Sequence, residues 1–174
     1  MNVRRTDGDR GPESGGSLVR EIAGTGVTLE KLAHEALAAR EFAYAPQSGF
    51  RVGAAVLTSS GRIYRGCNVE SAAYPLTNCA ERVAIQKAVS EGDRDIVALA
   101  VAGDATYLRR GGQPKSQPRD SLDAFVTPCG ACRQVIFEFG PDAPVLLVDL
   151  EGGRCLTSAR ELLPGGFRLE GFGP

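Results

Sequence analysis

Three cysteines constrain the fold most, because two distant segments must converge if their sulfurs share one ion. "TNCAERVAIQKA", residues 77–88, places Cys79 at the predicted start of a helix, and "TPCGACRQ" places Cys129 and Cys132 in the first turn of another. Side chains three residues apart share one helix face, so the last two sulfurs can reach a common ion. Helix N-termini favour thiolate over thiol. Soft thiolates within reach of one another predict zinc, one ion per subunit.

A fourth zinc ligand is the open question at this point. Three sulfurs leave one position of a tetrahedral zinc for water, as in catalytic sites, whereas a structural site is closed by four side chains. Cys67, Cys155 or the single histidine, His34, are the alternatives for a fourth ligand, although none stands at a paired ligand spacing. We therefore predict the open site.

Charged residues next to the cysteines suggest how an open site would work. Zinc with three thiolates carries a net charge of about −1, which opposes ionisation of a bound water. Helix dipoles offset this charge, and we predict that Arg82 supports the sulfurs by hydrogen bonding. Arg133 is equally compatible with that role and with simple solvent exposure. Glu81 follows Cys79 by two residues, and we predict that it takes a proton from the water.

Hydrophobic periodicity and turn residues predict a mixed α/β order. Leucines and alanines at helical spacing indicate a helix from an N-cap at Thr28 to about Ala43. The other predicted elements are two strands within 50–70 joined by a turn at 59–61, a helix over 78–91, a buried strand over 95–104, a helix that Pro128 begins and Gly140 ends, a strand over 143–150, a turn at 152–153, a strand over 154–158 and a helix over 159–164. This order predicts one mixed sheet between helices.

Length and composition place these elements in a single domain. The chain has 174 residues, of which 1–26 are predicted to be a mobile tail, 27–174 one catalytic domain and 105–122 a long exposed loop. The net charge of −1 gives no field for a polyanion, so we expect no nucleic-acid partner. The longest apolar run, 96–102, is too short to span a membrane, and the first residues lack the apolar stretch of a signal peptide. We expect a cytoplasmic protein with reduced thiols.

The cysteine segments together resemble the cytidine deaminase family in its small three-cysteine form. "CAERVAIQKAVSEG" and "PCGACRQVIFEFG" carry the resemblance, supported by "FRVGAAVLTSSGRIYRGCNVESAAYP" and "ELLPGGF". A zinc ion with such ligands, a glutamate that is not a ligand, and P-C-x-x-C are the known signature of zinc nucleobase deaminases. The resemblance implies a three-layer α/β/α sandwich and a homotetramer with active sites at the subunit contacts.

The resemblance also implies substrate-binding residues. Asn68 and Glu70 would hydrogen-bond the ribose hydroxyls, which fits an amide and a carboxylate two residues apart near a strand end. Phe50 and Phe167 match positions that line the base pocket, Phe167 reaching the site of a neighbouring subunit, and Tyr74 matches a subunit contact. Gln47 departs from the family, which commonly has an aromatic residue there, so this wall of the pocket is expected to differ.

These observations predict zinc-dependent hydrolytic deamination of cytidine and deoxycytidine, with a small-molecule nucleoside as substrate and pyrimidine salvage as the role. The enzymatic alternative is a deaminase of a cytosine nucleoside antibiotic such as blasticidin S, to which "ELLPGGFRLEG" is suited. A polynucleotide deaminase is disfavoured by the lack of a basic balance. A structural zinc module or a thiol-redox protein is the non-enzymatic alternative, and both leave Glu81 without a purpose.

Overall fold

A computed structural model describes residues 21–22, 24–108 and 121–168. In this part of the chain five strands form one sheet in the order β2-β1-β3-β4-β5. The strands are β1 Val52–Thr58, β2 Ile63–Cys67, β3 Ile96–Gly103, β4 Pro144–Val148 and β5 Arg154–Ser158. Strands β3 and β4 pair in parallel, and the other neighbours pair antiparallel. The predicted mixed sheet is therefore confirmed.

Helices cover both faces of this sheet. They are α1 Leu29–Arg40, α2 Ala80–Ser90, α3 Ala105–Leu108, α4 Gly130–Phe139 and α5 Ala159–Leu162, with 3-10 turns at Tyr74–Leu76 and Leu122–Ala124. The buried residues of α1 form one hydrophobic cluster with one face of the sheet. Those of α2, α4 and α5 form a second cluster with the opposite face. The chain thus has the predicted three-layer α/β/α architecture.

The central strands are buried on both faces, which explains why their sequences show almost no alternation. All seven residues of β1 are buried, and β3 is buried at all but one position. Glycine allows a helix to approach the sheet at two places. A Cβ atom on Gly66 of β2 would lie 2.5 Å from the Ala80 carbonyl oxygen in α2, and one on Gly53 of β1 would lie 2.8 Å from the Arg40 Cα of α1.

Local capping sets the helix boundaries. The Thr28 side chain accepts a hydrogen bond from the Lys31 N–H and starts α1, as predicted. The helix ends at Arg40 and not near Ala43, because the next N–H groups turn back three residues: that of Phe42 to Ala39 and that of Ala43 to Arg40. Helix α2 likewise begins two residues later than predicted, with Cys79 as its N-cap.

Pro128 does not occupy the first helical position of α4, and that prediction is wrong. Cys129 is the N-cap, with φ −67° and ψ 168°, and Gly130 is the first helical residue. Pro128 therefore precedes the cap. The proline still suits this place, because its missing N–H is not needed before the first turn. The consequence is that Cys129 and Cys132 occupy the cap and the third position of the helix.

The predicted tail and long loop are described only in part. Residues 1–20, 23, 109–120 and 169–174 lie outside the described residues. Ile22 packs against the cluster under α1, and Glu21 pairs with Thr28, so packed chain begins before the predicted boundary at residue 26. The predicted loop over 105–122 begins with the short helix α3. Among the helices of the described residues, none is long and apolar enough to cross a membrane.

Candidate active site

The N-termini of α2 and α4 meet and bring three sulfurs together. The Sγ atoms of Cys79, Cys129 and Cys132 all lie within 4.8 Å of one another, and those of Cys79 and Cys129 are 3.9 Å apart. Neither Cys79 nor Cys129 uses its side chain to cap its own helix. Zinc–sulfur bonds of about 2.3 Å in a tetrahedron place the sulfurs about 3.8 Å apart. The cluster therefore fits a zinc ion in spacing and in ligand type.

The thiols of the cluster shift one another's pKa in opposite directions. A hydrogen bond from Cys132 lowers the pKa of the Cys79 thiol to about 5, against the opposing effect of burial, and Arg82 lowers it further. The same hydrogen bond, burial and the charge of Glu81 raise the pKa of Cys132. One sulfur is thus prepared as a thiolate while its neighbour holds a proton. A bound dication takes the place of such protons, since its thiol ligands are deprotonated.

Glu81 lies in the first turn of α2 beside these sulfurs. Its side chain is buried beside the Cys132 thiol, with 4 % of the residue exposed. Burial raises the pKa of the Glu81 carboxyl to about 7; the hydrogen bond from its own N–H opposes the shift, and the charge of Cys79 adds to it. A carboxyl group with a pKa near neutrality both accepts and donates protons efficiently at physiological pH. The arrangement is that of an acid–base residue next to a metal centre.

The two arginines have different surroundings. A terminal nitrogen of Arg82 donates to the Thr77 carbonyl at 2.9 Å and lies 4.0 Å from the Cys79 sulfur, which is the position that the predicted supporting role requires. The described hydrogen bonds of Arg133 go to backbone carbonyls. Its guanidinium donates to the carbonyls of Pro128 at 2.8 Å and Leu162 at 3.1 Å. Neither interpretation of Arg133 includes these two bonds, which join the start of α4 to the end of α5.

The three alternatives for a fourth ligand lie elsewhere. His34 lies on the exposed side of α1, where it pairs with Glu30 at 3.3 Å. The Cys67 thiol donates to the Phe42 carbonyl at 3.3 Å, and Cys155 is buried on β5. Within the described ranges, no fourth histidine, cysteine or carboxylate joins the three sulfurs. The described residues therefore supply three ligands and leave one position for a water molecule or substrate.

Asn68 and Glu70 are brought together at the end of β2, and both are buried. The Asn68 amide accepts from the Val52 N–H and donates to the Phe50 carbonyl, each at 2.8 Å. The Glu70 carboxylate accepts from the Ser48 hydroxyl and from the N–H of Gln47 at 2.8 Å. Ser48 is not among the residues predicted from the sequence. Its only local signal is the dipeptide Ser-Gly, which is typical of a turn.

The aromatic candidates differ in exposure. Phe50 is half-buried and packs against the cluster that contains α2 and α4. Tyr74 and Phe167 are 62 % and 68 % exposed, respectively, in the single chain. The Gln47 side chain, which stands where an aromatic residue was expected, donates to the Ser71 carbonyl at 2.7 Å. Only Phe50 of the three aromatic residues therefore packs into this chain's own core.

Comparison with known proteins gives consistent matches. A family model for the cytidine and deoxycytidylate deaminase zinc-binding region matches residues 27–148. A cytidine deaminase from Sporosarcina psychrophila is 48 % identical over 143 residues, which are 82 % of this chain and 93 % of that protein. A blasticidin-S deaminase from Bacillus cereus is 34 % identical over 113 residues, 65 % of this chain and 74 % of that protein. The crystal structure of a cytidine deaminase from Burkholderia pseudomallei superposes with a TM-score of 0.68 at 42 % identity, over 81 % of this chain and all of that one.

Proposed function

The chain belongs to the cytidine and deoxycytidylate deaminase family, and we propose that it converts cytidine and deoxycytidine to uridine and deoxyuridine with release of ammonia. It is a zinc-dependent hydrolase, as the sequence predicted. One observation carries the proposal: the buried Glu81 carboxyl lies against a cluster of three cysteine sulfurs. A structural zinc site or a redox pair has no use for that carboxyl group.

Glu81 performs the proton transfers in this proposal. Zinc held by Cys79, Cys129 and Cys132 would supply a Lewis acid that lowers the pKa of water. Glu81 accepts one proton from the attacking water and passes it to ring N3, which makes C4 electrophilic. The water oxygen then bonds to C4. Glu81 carries the second proton of that oxygen to the amino group, the C4–N bond breaks, and ammonia leaves as the carbonyl of uridine forms.

The rest of the site would hold the nucleoside. Asn68 and Glu70 keep donor and acceptor capacity beyond their contacts within the chain, as a sugar diol requires. Phe50 would stack on the pyrimidine. Tyr74 and Phe167, exposed in the single chain, would contribute at subunit contacts. Arg82 would stabilise the thiolate ligands through its position beside Cys79.

Assembly and location follow the same proposal. Large apolar side chains are exposed on the single chain near the end of β2, which supports burial in a homotetramer; they are Phe42, Tyr44, Val69, Tyr74 and Leu76. Residues 27–174 would form one catalytic domain in each subunit. We place the enzyme in the cytoplasm, in pyrimidine salvage, without a nucleic-acid or membrane partner, because the five cysteines form no disulfide and the net charge is −1.

A second candidate substrate is a cytosine nucleoside antibiotic, favoured by the 34 % identity to a blasticidin-S deaminase. The deciding experiment incubates the zinc-loaded protein with cytidine, deoxycytidine or blasticidin S in parallel. Ammonia release and the ultraviolet change from cytosine to uracil are followed in each. We expect rapid turnover of the first two substrates. Turnover of blasticidin S alone would establish the antibiotic enzyme, and turnover of none would refute the deaminase assignment.

A further inference from the structure

Residues 44–50, hereafter the 44–50 segment, are held along the end of β2 by hydrogen bonds. The Tyr44 N–H donates to the Asn68 carbonyl at 3.0 Å, and the Glu70 N–H donates to the Tyr44 carbonyl at 2.8 Å. Farther along, the Gln47 side chain donates to Ser71. These contacts fix the segment over the two residues that we propose to bind the ribose. Its own side chains can therefore set the position of those residues.

Ser48 occupies the centre of this arrangement. Its hydroxyl donates to Oε1 of Glu70, and the hydroxyl oxygen, Oγ of Ser48, accepts from the Phe50 N–H at 2.9 Å. The Ser48 N–H also donates to the carboxylate, on Oε2 at 3.3 Å. The turn needs Gly49, whose φ of +70° is the left-handed conformation. One hydroxyl thus links the candidate ribose carboxylate to the backbone of the candidate base-stacking residue.

The orientation of Glu70 depends on this hydroxyl. Oε2 accepts two backbone N–H groups, from Gln47 and Ser48, whereas Oε1 accepts the Ser48 hydroxyl among the described residues. A carboxylate oxygen has two acceptor positions, so Oε1 retains one for a further donor. The hydroxyl fixes where that remaining position points. The pKa of Glu70 is lowered by the Ser48 hydrogen bond, whose effect exceeds the opposing effect of burial, and by the two N–H groups. The carboxylate therefore stays ionised.

We propose that Ser48 is a positioning residue for ribose recognition: its hydroxyl orients Glu70 so that Oε1 accepts a hydrogen bond from a sugar hydroxyl. The inference rests on the proposed function, because it requires a nucleoside in the site. It assigns Ser48 no contact with the reacting atoms. Loss of the hydroxyl should therefore impair recognition of the sugar more than recognition of the cytosine ring.

The test is a competition between cytidine and 2′,3′-dideoxycytidine, which lacks both ring hydroxyls of the sugar. Mixing the two substrates gives the ratio of their kcat/KM values directly. We expect Ser48→Ala to lower this ratio about ten- to a hundredfold, the usual effect of one hydrogen bond to a charged group, because kcat/KM should fall more for cytidine than for the dideoxy substrate. Ser48→Thr, which keeps the hydroxyl, should restore the ratio. Ser90→Ala should leave it unchanged, because this exposed serine at the end of α2 has its described hydrogen bond to the Lys87 carbonyl of the same helix.

Each other outcome overturns the inference. An equal loss on both substrates means a merely structural role for Ser48, and an unchanged ratio means no role in recognition. If Ser48→Ala fails to fold, the isosteric pair Ser48→Thr and Ser48→Val decides, since these differ only in the hydroxyl. Wild-type turnover of cytidine tests the proposed function separately. If the wild type deaminates cytidine and the variants have the same ratio of kcat/KM values as the wild type, only the role of Ser48 is refuted.

Discussion

Burial raises the pKa of Glu81, which suits proton transfer, but it also lowers the stability of the fold. The reason is that a carboxyl group removed from water loses hydration that its neighbours replace only in part. Glu81→Gln preserves volume and removes the titrating group. We predict that this variant keeps its zinc and its thermal stability, while kcat falls by more than about 10⁴-fold, since one carboxyl serves several proton transfers. Steady-state rates with cytidine and metal analysis measure both quantities.

Glu91→Gln is the matched control for Glu81. It lies at the opposite end of α2, where it makes a long ion pair with Arg62 at 3.8 Å, and its kcat should be unchanged. Activity of Glu81→Gln within tenfold of the wild type would contradict the assignment of Glu81 as the proton carrier.

Asp93 stabilises the β1–β2 turn from the loop that follows α2. Its Oδ2 accepts from the hydroxyls of Thr58, Ser60 and Tyr64 and from the Arg62 guanidinium, at 2.8 to 3.0 Å. The pKa of Asp93 is lowered to about 2, chiefly by the Arg62 hydrogen bond and further by those from the hydroxyls, although burial has the opposite effect. This carboxylate therefore adds stability at any pH above its ordinary pKa near 4. The contribution declines as the pH falls from about 4 to 2, because the unfolded chain takes up the proton first.

The Asp93→Asn variant tests this pH dependence. We expect its Tm to be several degrees below that of the wild type at neutral pH, and the difference to shrink as the pH falls below 4. Thermal unfolding at a series of pH values measures the difference. Asp95→Asn, an exposed neighbour, is the control and should show little change. A difference that is constant with pH would contradict the role of the charge.

Among the elements, α2 is positioned by direct contact with a glycine. Gly66 lets the backbone of α2 pack on β2, and Gly53 lets α1 pack on β1 from the opposite face. Alanine at either site forces the helix outward, at a cost of about 1–3 kcal/mol. Both variants should therefore unfold at lower temperature. Only α2 carries Cys79 and Glu81, so Gly66→Ala should also weaken zinc binding and lower kcat.

Gly53→Ala is the control for that prediction, because α1 carries no candidate site residue. Differential scanning calorimetry measures the loss of stability in each variant. Zinc affinity and kcat, measured at a temperature where both variants are folded, then show whether the site of either variant is impaired. Equal kcat in the two variants would show that the position of α2 does not control the site.

The cluster of three cysteine sulfurs lies between two helices, with Cys79 at the start of α2 and Cys129 and Cys132 at the start of α4. We predict that Cys129→Ala loses zinc and melts at the temperature of the chelator-treated wild type. Bound zinc should be worth about 4 kcal/mol when the free ion exceeds its Kd a thousandfold. Cys67→Ala, which removes a thiol outside the cluster, should keep its metal. A metal-replete Cys129→Ala protein would exclude Cys129 as a ligand.

On the scale of the whole molecule, exposed apolar surface is the feature that a single chain leaves unexplained. We predict a native mass four times that of the chain, measured by light scattering after size-exclusion chromatography. Leu76→Arg should reduce that mass and the activity together, because Tyr74 and Phe167 would act across subunits. Leu150→Arg, in the β4–β5 turn, is the control. A wild-type monomer with full activity would refute the tetramer.

The fold and the chemistry of the site were predictable where the signal was local. Thr28 caps α1, the apolar runs form buried strands, and cysteines at helix starts identify the metal. The family resemblance, now shown, rests on the same contiguous segments. The helix ends were predicted less accurately, since the turn after Arg40 and the N-cap at Cys129 depend on the local backbone conformation and not on periodicity.

By itself the sequence determined the class of chemistry, because thiols, a carboxyl group and helix starts have properties that do not depend on distant residues. Only the tertiary structure decided which groups meet. Arg133 bonds to a carbonyl 29 residues away, and Ser48 to a carboxylate 22 residues away. No spacing rule predicts such pairs, because the sheet register and the packing of helices on it bring them together. The physical reason is that a hydrogen bond requires its atoms within about 3 Å, and the folded chain alone sets that distance.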